Sequence, residues 1–165
     1  MVVPEILETD SINQIKIITT NINNEKESAD VQIKIFELQS PKRLIRNRYW
    51  EQPDQYVLSE KEFIKYFPTD EYINEHLKPS WPISKLVAEF NLLTGVNDSF
   101  NIGPGRLAPG NYKIEGVAKD KYGEEVKQVN YFQVFNGILN QLPFLTYQFN
   151  YTNKTTKQGI RPFNY

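Results

Sequence analysis

Apolar and polar residues alternate in several short stretches of this chain, with the period of two expected of strands that bury one face. Ile15 and Ile17 flank Lys16, which predicts a strand over 12–23. Val31, Ile33 and Ile35 alternate with Gln32 and Lys34, and this second strand ends at Ser40-Pro41. Asn23-Asn24-Glu25-Lys26 separates the two as a turn, so the pair reads as an antiparallel hairpin. Leu86, Ala88, Phe90 and Leu92 alternate with Lys85, Val87, Glu89 and Asn91, which predicts a strand over 85–93. The plainest hairpin spans 110–135. Tyr112, Ile114, Gly116 and Ala118 mark its first strand, and Asp120-Lys121-Tyr122-Gly123 its turn. Val126, Val129, Tyr131 or Phe132, and Val134 mark the return. Residues 144–151 have the composition of one more strand.

Between Pro41 and Pro82 the period of two stops, and aromatic, proline and charged residues crowd together. Ser59 with Glu62 three residues on forms a capping box, which predicts a helix over 60–67. Pro68 ends it, because the residue before a proline resists the helical region. Phe63, Tyr66 and Phe67 share one helical face and are expected to cover an edge or a face of the sheet. Six or seven short strands with one helical insertion and no βαβ alternation predict an all-β fold. The fold class is an immunoglobulin-like antiparallel β-sandwich with a long insertion carrying one short α-helix. The sandwich spans 1–139 with the insertion at 41–82. Residues 140–165 read as a linker with either an edge strand or the start of a next domain.

Composition narrows the function. The apolar fraction is 39%, a little low, but aromatics reach 13%, with ten Tyr and ten Phe. Large rings can fill a thin sandwich core. A net charge of −1 gives no reason to expect nucleic acid or an anionic membrane as partner. The absence of cysteine removes disulfides, thiolate metal sites and cysteine nucleophiles together. No apolar run approaches the roughly 20 residues of a membrane helix. Met1-Val2-Val3-Pro4-Glu5 lacks the basic start and apolar stretch of a signal peptide. The segment is therefore either cytosolic or an internal piece of a longer secreted chain.

Candidate chemistry is sparse, and no catalytic, cofactor or metal residue is assigned. His76, the single histidine, sits in the polar stretch Asn74-Glu75-His76-Leu77-Lys78 and reads as a surface residue. Asp54, Glu60, Glu62, Asp70, Glu71 and Glu75 cluster in the insertion. Paired carboxylates could hydrolyse glycosides. First-turn, capping and solvated roles explain these six more simply, with Asp70 and Glu71 starting a turn. Tyr49, Trp50, Tyr56 and Trp81 are candidates for ligand or domain contact. They either stack on a sugar or plug the sandwich beneath the insertion, with Arg46 and Arg48 over the rings. Burial is favoured, because an insertion of about forty residues with no core of its own must be pinned somewhere. Gly103-Pro104-Gly105-Arg106 lacks a phosphate-loop ending and reads as a turn.

The run RNRYWEQPDQYVLSEKEFIKYFPTDEYINE, followed by Trp81 and KLVAEFNLL, resembles a segment of the α2-macroglobulin-like proteins of Bacteroidetes-type bacteria. GNYKIEGVAKDKYGEEVKQVNYFQVF resembles the closing hairpin of a macroglobulin (MG) domain, with Gly110-Asn111-Tyr112 opening a strand and Asp120-Lys121-Tyr122-Gly123 turning. The resemblance covers about 12–136. It implies a non-catalytic structural or interaction domain of a large protease-inhibitor-type protein of the cell envelope, periplasmic or at the cell surface. The implied partners are neighbouring domains of the same long chain, and proteases through the whole parent. The family's thioester motif, Cys-x-Glu-Gln, has no counterpart in this cysteine-free chain. The alternative is a carbohydrate-binding or adhesin-type sandwich using exposed aromatics of the insertion.

Overall fold

The computed structural model describes residues 1–46, 51, 54–119 and 123–137. The alternation read along the chain becomes burial along its strands. In β3 (Asp30–Leu38), Val31, Ile33 and Ile35 turn inward while Gln32 faces solvent. In β6 (Gly110–Lys119), Tyr112 and Ile114 are fully buried, and in β7 (Glu125–Phe135) Phe132 and Val134 are. These strands, with β1 (Ile6–Glu8) and β4 (Ile83–Leu93), form a five-stranded sheet of order β1-β7-β6-β3-β4. A second sheet consists of β2 (Asn13–Lys16) paired with β5 (Ser99–Ile102). Ile15 and Ile17, with Phe100 and Ile102, close over the inner face of the larger sheet. The result is an immunoglobulin-like β-sandwich with a long β3–β4 insertion that carries α1 (Glu60–Tyr66).

The 110–135 hairpin has the expected register, from Gly110 opposite Val134 to Lys119 opposite Glu125. Gly123, at φ +91°, occupies the left-handed region that favours glycine. Strand 85–93 is present, extended by two residues. The expected hairpin of 12–23 with 31–40 is not. β2 pairs with β5 across the sandwich, Asn13 opposite Ile102, and both edges of β3 are taken by β4 and β6. The physical reason is ladder length. β4 and β6 each offer β3 a full-length partner, whereas β2 has only four regular residues and finds no open edge on it. The chain between β2 and β3 is anchored instead to the turn after β4. There the buried Thr94 Oγ1 accepts from the Ala29 N–H at 2.9 Å. The larger sheet is also mixed rather than wholly antiparallel, because β1 runs parallel to β7.

Leu107 to Tyr112 makes the corner into β6. The Tyr112 hydroxyl donates to the Ala108 carbonyl at 2.7 Å, and its ring stacks on Phe132 with centroids 5.4 Å apart. Burial, aided by the charge of Glu37, pushes the Tyr112 hydroxyl pKa up to about 12. Gly103 to Arg106 is a turn, as read, with Gly105 at φ +71°. The expected strand at 144–151, the boundary at 139 and the segment 140–165 lie outside the described residues.

Candidate functional site

The insertion starts and finishes at one point, where the Gln39 N–H donates to the Pro82 carbonyl at 2.9 Å. Its helix begins as the sequence indicates. Ser59 caps α1, its N–H donates to Glu62 Oε2 at 3.1 Å, and the capping box is complete. The Ser59 hydroxyl, donating to Glu62 Oε2 at 2.6 Å, and then the Ser59 N–H hold the Glu62 carboxyl below its ordinary range. Phe67 caps the other end, directly before Pro68.

The aromatic face of α1 does not cover the sheet as expected. Phe63 turns within the insertion, its centroid 5.1 Å from Phe67 and 5.4 Å from Tyr72. Tyr56 completes this cluster 4.6 Å from Tyr72, whose hydroxyl donates to the Leu58 carbonyl at 2.9 Å. None of the seven helical residues is buried.

The carboxylates are the main departure from the sequence reading. Asp54 and Glu60 are exposed and Glu62 caps, as read. Asp70 and Glu71, read as the start of a turn with solvated or capping roles, are instead 7% and 5% exposed. Burying an unpaired carboxylate is costly, so each has a partner. Arg46 Nε donates to Asp70 Oδ1. Glu71 Oε1 contacts His76 Nδ1 and accepts the His76 backbone N–H at 3.1 Å. Arg43 is the hub. Its guanidinium donates to the Pro68 carbonyl at 3.0 Å and the Asp70 carbonyl at 2.8 Å, and pairs with Glu75. Glu75 in turn accepts the Tyr72 N–H at 2.8 Å. The one sequence signal for this network is that arginines precede the acidic run by about 25–30 residues, a separation that no local pattern connects.

Of the four aromatics singled out, Trp81 is buried, and its indole N–H donates to the Glu75 carbonyl at 2.7 Å. Tyr56 is half-buried against Tyr72. Neither forms part of an open stacking platform. Tyr49 and Trp50, like Arg48, lie outside the described residues. Arg46 donates to Asp70, and the Tyr49 and Trp50 rings it was expected to cover lie outside the described residues. His76 is on the surface, and among the described residues no group of three His, Cys, Asp or Glu could hold a metal ion. Burial lowers the Lys78 ammonium below the ordinary lysine value, with the charge of Glu5 acting the other way.

The insertion also leaves large apolar side chains exposed. Val57, Tyr66, Phe67, Ile73 and Leu77 are all exposed large side chains. Comparison with family models, curated proteins and solved structures gives no match for this chain.

Proposed function

We propose that this chain is a non-catalytic interaction domain, one macroglobulin-type sandwich of a long α2-macroglobulin-like protein of the bacterial envelope. The proposed location is periplasmic or cell-surface. The proposed partners are the neighbouring domains of the same chain, with proteases engaged only through the whole parent.

One observation carries the reading: the insertion ties its buried carboxylates into ion pairs while leaving several large apolar side chains exposed. Asp70 and Glu71 are buried and engaged by Arg46 and His76, and Arg43 binds Glu75. Carboxylates tied into ion pairs and backbone bonds hold a fold together and are poorly placed to shuttle protons. Exposed Tyr66, Phe67, Ile73 and Leu77 on one insertion are the kind of surface that a second protein surface covers. The sugar-stacking alternative loses Trp81 and Tyr56 as exposed rings and rests on Tyr49 and Trp50.

The test is the complete reading frame, followed by association of the domains it encodes. The expected frame carries sandwich repeats around this chain and a Cys-x-Glu-Gln run downstream. Phe67→Asp with Leu77→Asp should then weaken binding of an adjacent domain at least tenfold without changing the β circular dichroism. A frame ending near Tyr165, or undiminished binding, overturns the reading.

A further inference from the structure

The two-stranded sheet is shorter than the face it covers. Among the described residues, nothing regular lies over the far half of β3, β6 and β7 beyond Lys16 and Ser99, and an apolar groove of about 270 Å³ opens there. Val31, Gly116, Ala118 and Val126 line its floor. Gly116 lies opposite Gln128, and Ala118 opposite Val126, which is 68% exposed in the first part of β7, where Glu125 to Gln128 are all exposed. A glycine within a strand commonly marks a place where another chain approaches closely. The atom that approaches Gly116 is the Met1 methyl, 3.8 Å from where a Cβ would stand.

Met1 enters the groove as part of a β-ladder. Val2 bridges Lys16 in antiparallel fashion, its N–H donating to the Lys16 carbonyl at 2.9 Å. The Gln128 carboxamide grips the next residue at both ends, accepting from the Met1 amine at 2.8 Å and donating to the Met1 carbonyl at 3.4 Å. Alternate residues of a strand offer their backbone groups to the same edge, so Ile18 and Thr20 continue the edge that Lys16 begins. Both line the groove, and among the described residues neither has a backbone hydrogen bond. An open edge of this kind is a template for strand addition.

We propose that the groove is a strand-acceptor site, and that its occupant is the polypeptide continuing N-terminally from Met1 in a longer chain. This rests on the reading of the protein as one domain of such a chain. The Val2–Lys16 register places the residue before Met1 opposite Ile18, and the residue two further back opposite Thr20. Side chains of alternate residues enter the groove beside Gly116, so small apolar residues fit them.

The test adds four residues before Met1, either Val-Thr-Val-Thr (the Thr-Val extension, which sets both valines on the groove face that Met1 occupies) or Gly-Ser-Gly-Ser, and follows amide hydrogen exchange by NMR. The Thr-Val extension should slow exchange at Ile18 and Thr20 by about tenfold or more and raise the melting temperature, while the Gly-Ser extension does neither. Ile18→Pro removes the N–H that the new strand needs and should abolish the protection. Val126→Glu places a charge in the groove at an exposed position and should abolish it without touching the fold. Unprotected Ile18 and Thr20 in the Thr-Val chain, or equal protection in the Val126→Glu variant, overturns the proposal. So does the same absence of protection when the residues preceding Met1 in the parent reading frame are used instead. A parent frame lacking sandwich repeats would sink the proposed function, yet it leaves the exchange result to judge the groove by itself.

Discussion

Single side chains in this sandwich divide into those whose polar atoms are satisfied and those whose atoms are not. Tyr112 belongs to the first group. Tyr112→Phe leaves the Ala108 carbonyl without its donor and should cost about 1–2 kcal/mol in urea unfolding near neutral pH. The cost depends on pH in a defined direction. The hydroxyl is held up to about 12 in the fold against an ordinary value of 10.0, so the folded state binds this proton more tightly. Its contribution is complete below pH 10 and is lost as pH rises toward 12. The gap between wild type and Tyr112→Phe should therefore shrink between pH 10 and pH 12, and a gap that stays constant would contradict the assignment. Asn111 belongs to the second group. It is 1% exposed, and neither carboxamide atom has a partner among the described residues. Asn111→Leu breaks no hydrogen bond and removes the burden of burying two polar atoms, so denaturant midpoints should stay level or rise.

The insertion is the element whose stability is most separable from the rest. Arg43 joins Pro68, Asp70 and Glu75 across 25 to 32 residues of chain. Arg43→Met leaves the partly buried Glu75 carboxylate short of its cation and should loosen the insertion by about 2–3 kcal/mol. Limited proteolysis should then cut within 41–82, while the 110–135 hairpin keeps its amide protection. Cleavage elsewhere first would show that the insertion and the sandwich unfold together. The start of α1 carries its own pH signature. Ser59 holds the Glu62 carboxyl below the ordinary 4.5, so the cap is intact above that value and is lost as pH falls through the carboxylate range. Ser59→Ala should make helix amide protection low and nearly independent of pH from 3 to 6. Within the larger sheet, β4 is a long edge strand that is bulged twice, at Val87 and Ser84, which spoils its free edge as a template for self-association.

At the scale of the molecule, the core is carried by the strands and their connecting corner. The buried cluster runs from Leu7 and Ile15 through Val31, Ile33, Ile35, Ile102 and Ile114 to Phe132 and Val134, and includes no described residue between 39 and 82. A chain in which a two-residue Asn-Gly turn replaces 41–80 should therefore still fold cooperatively, with unchanged β circular dichroism. Ile33→Ala, at a fully buried position of β3, should cost about 2–5 kcal/mol. If the shortened chain fails to fold while Ile33→Ala is mild, the insertion rather than the strand core is organising the domain.

What the sequence determined by itself is local. The period of two in 30–38 and 110–118, the capping box at Ser59 and Glu62, and the stop at Pro68 each depend on neighbours a few residues away, and each survives in the structure. β1 and β5, of three and four residues, are too short for any period to show. The partner of β2 was decided by tertiary competition, because longer strands claim both edges of β3. The fate of Asp70 and Glu71 was decided likewise. Asp70 is held by Arg46, and its carbonyl by Arg43, from more than twenty residues upstream, a separation that leaves no periodic trace in the chain, while Glu71 is held by His76 five residues on. The same holds for the groove, which exists because one sheet is shorter than the other, a mismatch that only the assembled sandwich reveals.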